Sequence, residues 1–259
     1  MADKYTLNYL ENEIVKMYNK ISLGNKEKNK DCCECKNKNN KLNNPVGMWC
    51  VGKNWEKNKI KILFVGKNAV GDGQDDIKSS YFDPEVMKID EKEKRFFSCK
   101  YKFWNYTKEI SKQIFGDESC ENIAVTNMVK CNDAAKTSTY KDTTKKETKE
   151  YCINKLNVIR KEIEIIKPTH IVFYTGLYYD GYIFKEKENE NVLFDSIKKI
   201  NMPKNLSSDP FKVQAMWYRE AFVKIKDIGI NILRLGHPQG KAKVFFVNLV
   251  VNWINKTSK

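Results

Sequence analysis

Four apolar runs of this 259-residue chain end in residues that can do chemistry. Ile62-Leu63-Phe64-Val65 stops at Gly66-Lys67-Asn68, and Ile123–Val129 carries Asn127 and leads into Lys130-Cys131. His170-Ile171-Val172-Phe173-Tyr174 stops at Thr175-Gly176, and the run from Ile230 to Leu235 stops at Gly236-His237-Pro238-Gln239-Gly240. A carboxamide offers a donor and an acceptor side by side, and an imidazole can donate to an oxygen on which charge builds. Neither Asn is a strong base, so a site made of Asn68, Asn127 and His237 would work by orienting a polar partner and a water molecule. Asp72 and Asp75 are nearby carboxylates, equally at home as solvated residues of a polar loop, and the aromatic pair Tyr81-Phe82 follows. Each residue also has a plain structural use: Asn in turns and caps, His before Pro in a loop, Tyr and Phe over a sheet edge.

Strands must position these groups. A short β-branched and aromatic run bounded by glycine predicts a buried strand, and residues 66–73, with Gly66, Gly71 and Gly73, predict a tight loop at its carboxyl end. If the four runs form parallel strands, Asn68, Asn127 and His237 meet at one edge of the sheet, where ligands of open α/β sheets sit. Helical patterns lie between and around the runs: residues 5–22, 103–115, about 146–166 ended by Pro168, 214–225, and about 241–255. The alternation predicts a single α/β domain spanning residues 1–259, a three-layer α/β/α fold with a central, mainly parallel four-stranded sheet. Residues 74–98, 132–149 and 185–212 are polar or irregular. Residues 24–46 are almost entirely Lys, Asn, Glu and Cys, with too little apolar surface to hold themselves together. The polar, Cys-bearing segment 24–50 is therefore expected to be disordered or tied down by its cysteines.

Composition narrows the partners. Lys and Arg outnumber Asp and Glu by 47 to 33, giving a net charge of +14 and a pI near 9.2, which points to a polyanion such as DNA ahead of a general Lys and Asn bias. Hydrophobic residues make up 41% of the chain, enough for a substantial core. No apolar stretch reaches the roughly 20 residues that cross a bilayer, and the start lacks a basic-then-apolar signal pattern. A soluble, cytoplasmic monomer with no membrane partner is expected. Eight cysteines without a secretion signal are thiols or metal ligands rather than a disulfide framework.

Taken in order, these motifs resemble the uracil-DNA glycosylase superfamily, and its iron–sulfur-containing branch in particular. Ile62-Leu63-Phe64-Val65-Gly66-Lys67-Asn68 is similar to the strand and Gly-rich loop that hold the water-activating residue. Val125-Thr126-Asn127-Met128-Val129-Lys130-Cys131 is similar to the strand whose Asn reads the base edge and whose Cys binds the cluster. The unit from Cys152 to Gly176, with Lys167-Pro168 and Ile171-Val172 inside it, resembles the Cys-helix-Lys-Pro-strand-Gly unit, and His237-Pro238-Gln239-Gly240 resembles the His-Pro loop beside the glycosidic bond. The resemblance covers the chain from about Cys32 to the last helix. The first loop departs from the iron–sulfur branch, which has an acidic residue after the first Gly; Asn68 resembles the Asn of the mismatch-specific branch. Gln239-Gly240 stands where Ser and Ala are usual.

The resemblance implies hydrolysis of the N-glycosidic bond of uracil or another altered base flipped out of DNA, as in base-excision DNA repair. Asn68 and His237 would be catalytic, Gly66 and Asn127 would hold the base, and Tyr81 or Phe82 would stack on it. Cys32, Cys35, Cys131 and Cys152 would bind a 4Fe-4S cluster, with zinc as the alternative for the same four thiolates and Cys33 and Cys50 as competing ligands. Cys99 and Cys120 are expected to be structural. Two other classes share these features: a catalytically inactive nucleic-acid-binding protein on the same fold, with DNA defence as its role, and a small-molecule nucleotide-binding enzyme.

Overall fold

Two apolar cores sandwich one sheet, because residues of alternating parity along each central strand belong to opposite cores. Ile62, Phe64, Ile123, Val125, Val172 and Leu233 face one way, whereas Leu63, Val65, Ala124, Ile171, Phe173 and Ile232 face the other. This is the period-two signature of strands covered on both sides. The structure is a computed structural model describing residues 8–21, 23, 47–68, 102–117, 119–131, 144–184, 193–201, 218–238 and 242–258.

The strands are β1 (Cys50–Val51), β2 (Ile62–Asn68), β3 (Ile123–Val129), β4 (His170–Phe173), β5 (Ser196–Asn201), β6 (Tyr218–Ile225) and β7 (Ile228–Leu235). Their order across the sheet is β1-β3-β2-β4-β7-β6-β5. The pairs β3–β2, β2–β4 and β4–β7 are parallel, and β1, β6 and β5 add antiparallel to the outside. The chain is thus α/β, but in place of the expected four-stranded, mainly parallel sheet the described residues form a mixed sheet of seven strands.

The helices are α1 (Tyr9–Lys20), α2 (Lys102–Phe115), α3 (Lys146–Glu150), α4 (Val158–Ile166), α5 (Asp180–Ile183) and α6 (Lys243–Thr257). Tyr106 and Ile110 of α2 pack with Phe246, Val247, Val250 and Trp253 of α6 over one face. Residues of α1, α4 and α5 cover the other. The start of α1 is fixed by a capping box, in which Glu11 N donates to Asn8 Oδ1 and Asn8 N donates to Glu11 Oε2. Asn8 Nδ2 also donates to Val51 O at 2.8 Å, which stitches the helix to β1.

Two helical expectations fail. Residues 214–225 were expected to form a helix, and Tyr218–Ile225 is instead the strand β6. Ala221, Val223 and Ile225 are buried at every second position, and β6 is paired along its length with β7 through the turn at Lys226-Asp227. The β-branched and aromatic side chains of that stretch fit a pleated surface better than a helix. The expected single helix over 146–166 is broken: Tyr151–Lys155 forms a wider π turn and Asn157 takes a left-handed conformation (φ 51°) before α4 begins. Asn is among the few residues that enter that region at low cost. Lys167, also left-handed at φ 48°, closes α4 ahead of Pro168. Strands β1 and β5 had no counterpart in the sequence expectation.

Candidate functional site

Gly66 and Asn127 are opposite each other in the β2–β3 ladder, close to its carboxyl end. A Cβ on residue 66 would lie 2.2 Å from Asn127 Oδ1 and 3.4 Å from the ring of Phe103 on α2. The carboxamide of Asn127 therefore occupies the space that glycine's missing side chain leaves, with the Phe103 ring beside it. Asn127, Phe103 and Lys67 are all half-buried, the state of groups that meet both the core and solvent. Two residues beyond Gly66, Asn68 pairs with Val129 and its Nδ2 donates to Thr144 Oγ1 at 3.0 Å, just ahead of α3. With Nδ2 committed to that hydroxyl, Oδ1 is the end of the Asn68 carboxamide that can accept an O–H.

His237 follows β7 in the segment Gly236-His237-Pro238. Burial, and next the positive charge of Lys67, lower its pKa from 6.5 to about 4, so the imidazole is neutral at pH 7. Lys67 precedes Asn68, so this electrostatic contact ties the segment after β7 to the end of β2 across the short strand β4. Tyr174 N donates to Val65 O and Gly176 N to Leu235 O, which continues the chain beyond β4 between those two neighbours. Asn68 and Asn127 thus lie on adjacent strands, and His237 is within electrostatic reach of the residue that precedes Asn68.

The second histidine, His170, takes no part in this site. It opens β4 at the amino edge, with its ring edge-on to Trp253 and its nitrogens 2.8 Å from Thr169 Oγ1 and 3.1 Å from Thr257 Oγ1. Burial lowers its pKa to about 4. Because this lies below the unfolded value of 6.5, the unfolded chain binds more protons between pH 4 and 6.5, and stability rises with pH across that window. His170 should contribute fully above pH 6.5 and lose roughly 2 kcal/mol of that contribution by pH 5. Urea midpoints at pH 7 and pH 5 measure this; a His170→Gln variant should show a flatter pH dependence, and an unchanged slope would contradict the assignment.

Beneath Asn127 lies a charged pair that sequence reasoning did not single out. Lys130 and Glu162 both have 0% side-chain exposure, with Lys130 Nζ 2.7 Å from Glu162 Oε1. Lys130 Nζ also donates to Thr126 Oγ1 at 2.6 Å and to the backbone carbonyl of Asn127 at 2.7 Å. Glu162 accepts from Thr126 Oγ1 at 2.9 Å and from the hydroxyl of Tyr18, whose oxygen in turn accepts from Met48 N. One ammonium therefore ties the end of β3 to α4, and through Glu162 to α1, while clamping the residue whose side chain covers Gly66.

The expected metal ligands divide. Cys131 and Cys152 are buried thiols, and Cys152 packs in the core that also contains Met128 and Val129, just ahead of Cys131. Two thiols on neighbouring elements are the right donors for half of a four-thiolate site. Cys32 and Cys35, like Tyr81, Phe82, Cys33, Cys99, Asp72 and Asp75, lie outside the described residues. Among the described residues no group of three or more His, Cys, Asp or Glu side chains could hold a metal ion, and no helix is long and apolar enough to cross a membrane.

Phe103, Thr144 and the Lys130–Glu162 pair are the neighbours of the site that spacing does not announce, since each comes from an element distant in sequence from its partner. A lysine directly after an apolar run was the single available hint of the buried pair. No protein-family model matches the chain, and no curated protein matches it.

Proposed function

We propose that this chain is a DNA glycosylase that hydrolyses the N-glycosidic bond of uracil or another altered base swung out of DNA, on a fold of the uracil-DNA glycosylase type. The observation that carries the reading is the fit of the Asn127 carboxamide over Gly66, two residues before Asn68, at the carboxyl ends of parallel strands. The neutral imidazole of His237, in electrostatic reach of Lys67, supports the same reading.

Asn127 offers a donor and an acceptor to the edge of a pyrimidine. Asn68 Oδ1 accepts an O–H of the attacking water and so holds its oxygen toward the sugar carbon. As the glycosidic bond breaks, its electron pair leaves with the base and positive charge develops on the sugar. The water oxygen then bonds to that carbon and its proton passes to solvent. His237, neutral at pH 7, donates to the base oxygen on which negative charge accumulates. Half-buried Phe103, with Tyr81 or Phe82, supplies the aromatic wall. The net charge of +14 suits a polyanionic strand. Cys131 and Cys152 would hold a 4Fe-4S cluster together with Cys32 and Cys35; when bound, its role is to tie segment 24–50 to the sheet.

A catalytically silent DNA-binding module on the same fold is the second reading. It is favoured by the bond from Asn68 to Thr144, which gives that amide a structural use. Incubation with oligonucleotides that carry a panel of altered bases, followed by alkali, separates the two. Strand breaks at one or more of the bases are expected; DNA binding without breaks at any base would favour the module.

A further inference from the structure

The carbonyl of Asn127 is held by a charged group that stability alone does not call for. Lys130 and Glu162 are fully buried, and a buried ion pair is often no more stabilising than an apolar pair of the same volume. What the pair adds is direction. Lys130 has three N–H donors, and they meet Thr126 Oγ1 at 2.6 Å, Asn127 O at 2.7 Å and the two Glu162 oxygens at 2.7 and 2.8 Å. Moving the carboxylate therefore moves the ammonium, and with it the backbone from which the Asn127 side chain projects over Gly66.

The carboxylate in turn is set by α1. Tyr18 on that helix donates its hydroxyl to Glu162 Oε1, and Thr126 Oγ1 donates to Oε2 at 2.9 Å. The Tyr18 oxygen accepts from Met48 N at 2.6 Å, where the backbone ladder of β1 with β3 gives way to side chains. One residue on, Trp49 N still donates to Val125 O. Tyr18, Met48, Thr126, Lys130 and Glu162 are at most 1% exposed, so solvent does not make good a lost donor.

We infer that Tyr18 is a positioning residue for the proposed reaction: through Glu162 and Lys130, its hydroxyl fixes where the Asn127 carboxamide stands against the base. The inference rests on the glycosylase reading and brings α1 into the machinery of the site. Without the hydroxyl, Glu162 loses one of its donors and is drawn toward Lys130 and Thr126, which pulls the ammonium off the Asn127 carbonyl. Displacing a positioning group by about 1 Å costs on the order of 10²-fold in rate, and a shift relayed through two side chains should cost about tenfold.

The test uses the full chain. In its proton–nitrogen NMR spectrum, the Asn127 carboxamide gives the pair of signals missing from Asn127→Ala. Tyr18→Phe should shift that pair and slow single-turnover base release about tenfold, with the Kd for the oligonucleotide unchanged. Ile14→Ala, a cut into the packing of the same helix at a fully buried position, should leave the pair in place even where it lowers the melting temperature further. An unmoved pair or an unchanged rate in Tyr18→Phe, or an equal shift in Ile14→Ala, would overturn the positioning role while the glycosylase reading stands. If the pair moves as expected but the unaltered chain releases no base, the glycosylase reading fails and the tie between Tyr18 and Asn127 stands.

Discussion

Replacing Gly66 with alanine should slow base release about a hundredfold while the protein stays folded. The added Cβ would lie 2.2 Å from Asn127 Oδ1, closer than real side chains allow, so the carboxamide must swing away from β2. The Phe103 ring, 3.4 Å from the same point, limits where it can go. A displacement of about 1 Å in a positioning group costs on the order of 10²-fold in rate. The loss should fall on the single-turnover rate with the melting temperature little changed, because Asn127 is half-buried and can relax toward solvent. A Gly66→Ala protein with an unaltered rate would show that Asn127 does not face the reacting base.

The second large effect concerns stability. Lys130→Met should destabilise by about 3–5 kcal/mol, since it leaves Glu162 charged, fully buried and without its cation. For a chain of this size that corresponds to a fall in melting temperature of roughly 10 °C. Adding Glu162→Leu to Lys130→Met should recover much of the loss, because an apolar pair of similar volume carries no desolvation cost. A Lys130→Met protein as stable as the unaltered chain would show that the pair contributes nothing. The double variant should still release base more slowly, since nothing then clamps the carbonyl of Asn127.

How much of this was legible in the sequence depends on the range of the interaction. The strands that hold Asn68 and Asn127 and lead to His237 were readable because each is a mostly apolar run ending in Gly or a polar residue, a local signal. The hairpin of β6 and β7 was not: Met216, Trp217, Ala221, Phe222 and Ile225 can also be placed on a helical face, and pairing with the backbone of β7 adds the long-range contribution that settles the stretch as a strand. The break at Asn157 was equally hidden, since nothing nearby forbids a continuous helix over residues 146–166. The fit of Asn127 over Gly66 joins residues 61 positions apart, and the Lys130–Glu162 pair joins β3 to α4. Such contacts are products of register and packing, which spacing along the chain does not encode.

The most direct measurement is chromatographic detection of free base released from altered-base oligonucleotides in single turnover, by the unaltered chain and by an Asn127→Ala/His237→Ala variant. Stoichiometric release of at least one base by the unaltered chain, and none above background by the variant, is expected. No free base from any oligonucleotide, or equal release by the two proteins, would contradict a glycosylase site at this sheet edge.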